Sequence, residues 1–373
     1  MNRKELLNDV KRVVIKVGTS SLTHENGLLN LDKIEKLVRA IAHVQNVGYE
    51  VVLVSSGAIG AGLGRLRLTE RPSTIPEKQA IAAVGQVALI HLYQKLFFEY
   101  NKNIAQLLFT RGDFADRKRF LNGRNACFEL IKKGVIPIIN ENDAVATDEI
   151  KVGDNDTLSA LVATLIDADL LIILSDIDGL YSADPRRDPE AVLIPLVTEI
   201  DSKIKKTAAG AGSKLGTGGM ATKITAAEIS TSKGVKMLIA NGKDPHVLVD
   251  IMDGYNTGTL FIPKLHPVSA KKHWIKYSST REGVLLLDPG ACRAIKEGKS
   301  LLPGGIVSVE GDFLKGDIVS ISSSDGREVA AGIVNYSSRE VDLIKGAKTT
   351  DIEDILGYQE YKEVVHSNNM FRN

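Results

Sequence analysis

With only two cysteines in 373 residues, the chain has little from which to build a disulfide framework or a thiolate metal site. Cys127 and Cys292 lie far apart and outside any metal-ligand spacing, so both read as small apolar residues in a reducing compartment. Net charge is nearly absent too. The 47 Lys and Arg against 46 Asp and Glu leave +1, which gives no global pull toward nucleic acid or an acidic membrane. The opening Met1-Asn-Arg-Lys-Glu-Leu-Leu-Asn-Asp9 lacks the apolar core of a signal peptide. No apolar run is expected to reach membrane-spanning length. A cytoplasmic setting without membrane association is therefore the expectation. The seven histidines are scattered, which argues against a metal hydrolase. No serine–histidine or cysteine–histidine arrangement stands out for a covalent acyl enzyme.

What is present describes a globular protein of more than one domain, with 43% apolar and 25% charged residues. Up to residue 262, short apolar runs alternate with helical stretches. Val13–Val17, Val51–Val54, Ala105–Phe109, Val135–Ile139, Leu170–Leu174 and Lys236–Ala240 read as strands. Most are almost continuously apolar, as strands covered on both faces must be. Helices are expected around 31–47, 76–100, 116–133, 156–167 and 220–233. This alternation predicts an α/β fold over residues 1–262, a mainly parallel open sheet sandwiched by helices. Residues 263–278 read as a linker, with the basic Lys271-Lys-His-Trp-Ile-Lys276 on a solvated face. Over 279–358, short strands separated by glycine turns predict a small, mostly-β second domain. Residues 359–373 are polar and read as a frayed tail.

The chemistry is expected where such a sheet binds ligands, beyond the carboxyl ends of its strands. Gly216-Thr-Gly-Gly-Met-Ala-Thr-Lys223 runs small residues straight into a helix carrying a lysine in its first turns. A bare helix start offers free N–H groups and the positive end of its dipole, which together seat an anion. The same segment could be a loop that merely caps a helix; its spacing is neither a P-loop nor a dinucleotide fingerprint. Other segments decide between the two. Lys16 sits inside an otherwise apolar strand, a costly place for a charge unless an anion meets it. Ser55-Ser-Gly-Ala-Ile-Gly-Ala-Gly62 is a second small-residue turn into a helix, and Ser175-Asp-Ile-Asp-Gly-Leu-Tyr181 follows a third strand. Ile138-Ile-Asn-Glu-Asn-Asp-Ala144 gathers polar residues at a strand mouth, and Gly153-Asp-Asn-Asp156 gathers more at a helix start. One of those three is expected to cap the helix. A carboxylate-bearing pocket facing two lysines and several N–H cradles suits a phosphate-bearing nucleotide with Mg²⁺, hence phosphoryl transfer.

These blocks, in this order, resemble the amino acid kinase family. The carriers are Lys16-Val-Gly-Thr-Ser20, Ser55-Ser-Gly-Ala58, Ile139-Asn-Glu-Asn-Asp143, Gly153-Asp-Asn-Asp156, Ser175 to Tyr181, and Gly216 to Lys223. Each alone is weak; six in order across nearly the whole chain are specific. Leu287-Asp-Pro-Gly-Ala291 and Leu302-Pro-Gly-Gly-Ile-Val307 look like a PUA domain. That companion favours the glutamate-phosphorylating branch over the acetylglutamate, aspartate, carbamate and uridylate branches. Two departures are conservative: Ser175 where many members carry threonine, and Ala221 where serine is frequent.

The resemblance implies ATP and L-glutamate as substrates, Mg²⁺, L-glutamyl 5-phosphate as product on the way to proline, and feedback inhibition by proline. It also implies a homo-oligomer, dimer or tetramer. Lys16 and Lys223 would contact the ATP phosphates, and Asp156 would orient both. Ser56, Asp143 and Asn155 would bind glutamate. Ser175, Asp176, Thr217, Gly218, Gly219, Met220, Ala221 and Thr222 would hold the nucleotide. PUA-like domains also occur on RNA-binding proteins. Between Ser278 and Tyr358, however, nine Lys and Arg stand against thirteen Asp and Glu, and a net charge of −4 disfavours nucleic acid.

Overall fold

In this computed structural model the described residues are 2–24, 28–68, 72–146, 154–186, 188–209, 219–263 and 281–372. The chain forms two compact units, Met1–Pro267 and Val268–Asn373. Most of the linker expected at 263–278 lies outside the described residues.

The first unit is built on eight strands: β1 (Arg12–Val17), β2 (Glu50–Ser55), β3 (Ile104–Phe109), β4 (Ile136–Glu141), β5 (Leu170–Ser175), β6 (Leu196–Val197), β7 (Lys236–Asn241) and β8 (Thr259–Phe261). Their order in the sheet is β3-β4-β2-β1-β5-β7-β8-β6. The pairs are parallel except β7 with β8, which is antiparallel. Six of the eight are the strands that the apolar runs announce. β6 and β8 are too short to carry a pattern of their own.

β1 lies at the centre, between β2 and β5, and its side chains alternate between two core layers. Val13, Ile15 and Val17 join Ile34, Ile41, Tyr93 and Phe97 on one face. Val14 joins Leu158, Val162, Ile224 and Ala227 on the other. Lys16 is two residues beyond Val14 and so shares that second face, under the helices Asn155–Leu165 and Met220–Ser232. The alternation thus delivers one lysine into an apolar layer just where β1 ends.

The helix Ile75–Glu99 begins with a capping box between Thr74 and Glu77, with Pro76 in its first turn. It meets the helix Ala58–Leu66 so closely that a Cβ on Gly85 would lie 1.7 Å from the Ala58 carbonyl oxygen. Only glycine permits this approach, which fixes where the Ala58–Leu66 helix starts. The expectation that no apolar run reaches spanning length needs amending here. This 25-residue helix is long and apolar enough to cross a membrane by length and composition. Its Ile81, Ala82, Leu89, Tyr93 and Phe97 are buried against the fold, whereas Val84, Val87 and Phe98 are exposed.

In the second unit a five-stranded sheet runs β10 (Ile306–Gly311), β9 (Gly283–Leu287), β11 (Ile318–Ser323), β12 (Glu328–Ile333), β13 (Met370–Arg372). Helices at Pro289–Lys296 and Ser338–Ile344 contribute Ile295, Val341 and Ile344 to its core beside Leu285, Phe313 and Ile321. The expectation of a frayed tail at 359–373 is overturned. β13 pairs antiparallel with β12, and the Leu301 N–H donates to the Val365 carbonyl at 2.8 Å. Val364, Val365 and Met370 are buried. Averaged composition hides three apolar residues among polar ones: Met370 opens the edge strand, and Val364 and Val365 enter the core beside Leu301. Each contributes about 1.5–3 kcal/mol of burial, a large share of a typical domain stability. Truncation after Tyr358 is therefore expected to unfold the second unit, read as rapid limited proteolysis beyond residue 281. Undiminished resistance would contradict the assignment of 359–373 to the fold.

Candidate active site

Four neighbouring strands, β4, β2, β1 and β5, end side by side, and the candidate residues sit along that edge. At its centre the Lys16 ammonium lies 2.6 Å from Asp156 Oδ1. Lys223 Nζ donates to Asp156 Oδ2 at 3.0 Å, as does the Thr222 hydroxyl at 2.9 Å. All three charged side chains are buried. Asp156 reaches this point because Asp154 takes the capping position, accepting the Thr157 N–H at 2.8 Å. Of the three polar residues in a row, one caps the helix and the next two are left to face the strand ends.

Burial alone would push the Asp156 carboxyl up, but the charges of Lys16 and Lys223 outweigh it and hold the group at about 2. Burial instead raises Asp154, reinforced by the charge of Asp156. Two ammonium groups thus share the Asp156 carboxylate, and the charge of Lys16 also reaches Asp154. Lysines held this close at the strand ends are placed to meet an anion.

On the β2–β4 side, Asn155 Nδ2 donates to Ser56 Oγ at 2.7 Å and to Asn140 Oδ1 at 3.0 Å. Ser56 follows β2, where Gly57 turns at φ 103° into its helix. Beneath it the buried hydroxyls of Ser55 and Tyr93 meet at 2.8 Å. Asp143, half-buried, occupies the turn after β4. Asn140 was not singled out as a site residue, although its segment was. It is buried, and its Nδ2 has no hydrogen-bond partner among the described residues, which marks a donor held for something else.

On the β5 side a cleft lies between the loop after β5 and the start of the Met220–Ser232 helix. Ser175, Asp176, Gly219, Met220 and Lys223 line it, as do Tyr181 and Arg186, which sequence reasoning did not pick out individually. Gly219 is the N-cap and has no side chain with which to accept from the N–H groups of that helix start. Asn30, Thr74, Asp116 and Asp154 do cap their own helices. Lys16, Ala221 and Thr222 are not among the lining residues; Thr217 and Gly218 lie outside the described residues. No group of three or more His, Cys, Asp or Glu converges among the described residues. With Asp156 already engaged by two lysines, these residues do not fit a resident Mg²⁺ site of their own.

Residues 11–241 match the amino acid kinase family model, and 283–356 match the PUA domain model. A glutamate 5-kinase of Caldanaerobacter subterraneus subsp. tengcongensis is 58% identical over 96% of this chain and 97% of its own length. One of Moorella thermoacetica is 52% identical over 98% and 97%. Among solved structures, carbamate kinase from Giardia lamblia bound to AMP-PNP aligns with 69% of this chain and 99% of its own, at TM-score 0.51 and 20% identity, a likeness of fold. With matches of this extent along both its units, the chain is a kinase that belongs to the amino acid kinase family, in the PUA-bearing glutamate 5-kinase branch.

Proposed function

We propose that the chain transfers the γ-phosphoryl group of ATP to the γ-carboxylate of L-glutamate, giving ADP and L-glutamyl 5-phosphate, as the first step toward proline. The names of its relatives support the reaction, and one observation carries the mechanism: two buried lysines from distant parts of the chain converge on a single carboxylate at the strand ends. In-line phosphoryl transfer asks for positioned reactants and positive groups on the equatorial oxygens, and little covalent help. Lys16 and Lys223 supply the charge, and Asp156 holds them apart. ATP would lie in the β5 cleft with its phosphates toward Gly219 and Lys223. Mg²⁺ would enter carried on those phosphates.

Glutamate would occupy the β2–β4 side. Ser56 and Asn140 can donate to its carboxylate oxygens, Asn155 would hold both in place or turn to the substrate itself, and Asp143 can pair with its ammonium. The acceptor carboxylate is already ionised at neutral pH, so the reaction needs no general base. Proline, which shares the substrate's α-carboxylate and ammonium but lacks its γ-carboxylate, would compete for the same side as feedback inhibitor. A cytoplasmic homo-oligomer, dimer or tetramer, completes the reading. The net charge of −4 over residues 278–358 argues for an organising or regulatory part rather than RNA binding. An ADP-release assay across glutamate, acetylglutamate, aspartate and carbamate, repeated with proline, tests the proposal. Turnover with glutamate alone supports it, and turnover only with another acceptor overturns it.

Three outcomes follow from these roles. Lys16→Ala and Lys223→Ala should each lower kcat on the order of 10²–10³-fold, far more than they raise the KM for glutamate. Near-normal kcat in both would remove the assigned roles. Asp143→Ala should weaken glutamate by about 2 kcal/mol or more, seen as a raised KM for glutamate beside an unchanged KM for ATP. An unchanged glutamate curve would contradict that placement. Finally, the Asp156 carboxyl is depressed from its ordinary 3.8 to about 2, so its stabilising contribution is complete above about pH 4 and lost as pH falls through 2. Urea unfolding at stepped pH should show this acid-side loss in the wild type and not in Asp156→Asn. Identical acid profiles would contradict the pairing.

A further inference from the structure

The geometry points to Thr222 as a positioning residue of the transfer centre: its hydroxyl holds Asp156 Oδ2 in place so that Lys223 can serve the moving phosphoryl group. This inference rests on the proposed phosphoryl transfer and assigns a role within it.

The Thr222 hydroxyl has two acceptors in reach, Asp156 Oδ2 at 2.9 Å and the Gly219 carbonyl at 2.8 Å. It has one proton to give. The carbonyl belongs to the preceding helical turn and is neutral, whereas the carboxylate is ionised, buried and 66 residues away in sequence. A charged acceptor in a low-dielectric setting takes the stronger bond. Thr222 also stands apart from the cleft lining, although Gly219, Met220 and Lys223 on the same turn belong to it. Its hydroxyl is thus turned to the carboxylate rather than to the nucleotide side.

The two oxygens of Asp156 are unequally loaded. Oδ1 faces Lys16 at 2.6 Å, while Oδ2 takes both Lys223, at 3.0 Å, and Thr222. When a phosphoryl oxygen draws Lys223 toward itself, a carboxylate oxygen held by that lysine alone would either lose its partner or pull the lysine back. With Thr222 present, Oδ2 keeps a donor throughout. The carboxylate keeps its orientation, and Lys223 can move without stranding a buried charge.

The test compares full-length wild type, Thr222→Val and Thr222→Ser in the ADP-release assay with glutamate, alongside calorimetric ADP binding and thermal unfolding. Thr222→Val keeps the shape and removes the hydroxyl. It should lose kcat on the order of 10-fold, with both KM values and the ADP dissociation constant held within about twofold. Thr222→Ser should restore kcat. Should the valine chain melt early, Thr222→Ala set against Thr222→Ser makes the same comparison. Unchanged kcat without the hydroxyl overturns the inference alone. So does a loss of ADP affinity matching the loss of rate, since the hydroxyl would then serve the nucleotide. A serine variant as slow as valine also overturns it, because the methyl group would then be what matters. A wild-type chain inert toward glutamate overturns the proposed function and this inference together.

Discussion

Two ammonium groups sharing one buried carboxylate set the terms for the rest of this fold. Lys16 and Lys223 are both buried, and Asp156 is 1% exposed, so none of the three can rely on water. Desolvating such charges costs several kcal/mol each unless the partners are held in good geometry. That geometry comes from three separate elements: the end of β1 and the first turns of two helices packed on the same face of the sheet. Two lysines on one carboxylate, at the ends of parallel strands, distinguish this cluster from an isolated ion pair.

The order of the strands then decides where each reactant goes. β4 and β2 bring Asn140 and Ser56 together under Asn155, β1 supplies the lysine, and β5 opens onto the cleft with the uncapped helix start. In the proposed reaction, acceptor and donor would approach the lysines from opposite sides along one sheet edge, an arrangement suited to in-line transfer. The nesting of Gly85 on Ala58 works toward the same end from beneath, because it fixes the helix that leaves the Ser56–Gly57 turn.

Much of this was legible before any coordinates. Strands covered on both faces had to be almost wholly apolar, so a lone lysine in β1 was conspicuous, and a glycine run opening a helix could be read as an anion seat. The surplus of polar residues at 154–156 over what one cap needs pointed at the carboxylate. Asn140 was harder to single out, because its importance lies in an amide with no partner rather than in a sequence pattern. The two acceptors of Thr222 were invisible as well, since its bond to Asp156 spans 66 residues and nothing local encodes it. β13 escaped for a related reason: a three-residue strand is specified by the edge of β12 that receives it, not by its own periodicity.

The central claim is that both lysines meet one triphosphate tail from positions that Asp156 sets. A crystal structure with a non-hydrolysable ATP analogue, Mg²⁺ and glutamate tests it most directly. The account predicts the Lys16 and Lys223 ammonium groups at hydrogen-bond distance from phosphate oxygens, with the glutamate γ-carboxylate in line beyond them. A triphosphate lying away from either lysine, with that side chain paired to Asp156 alone, would contradict it.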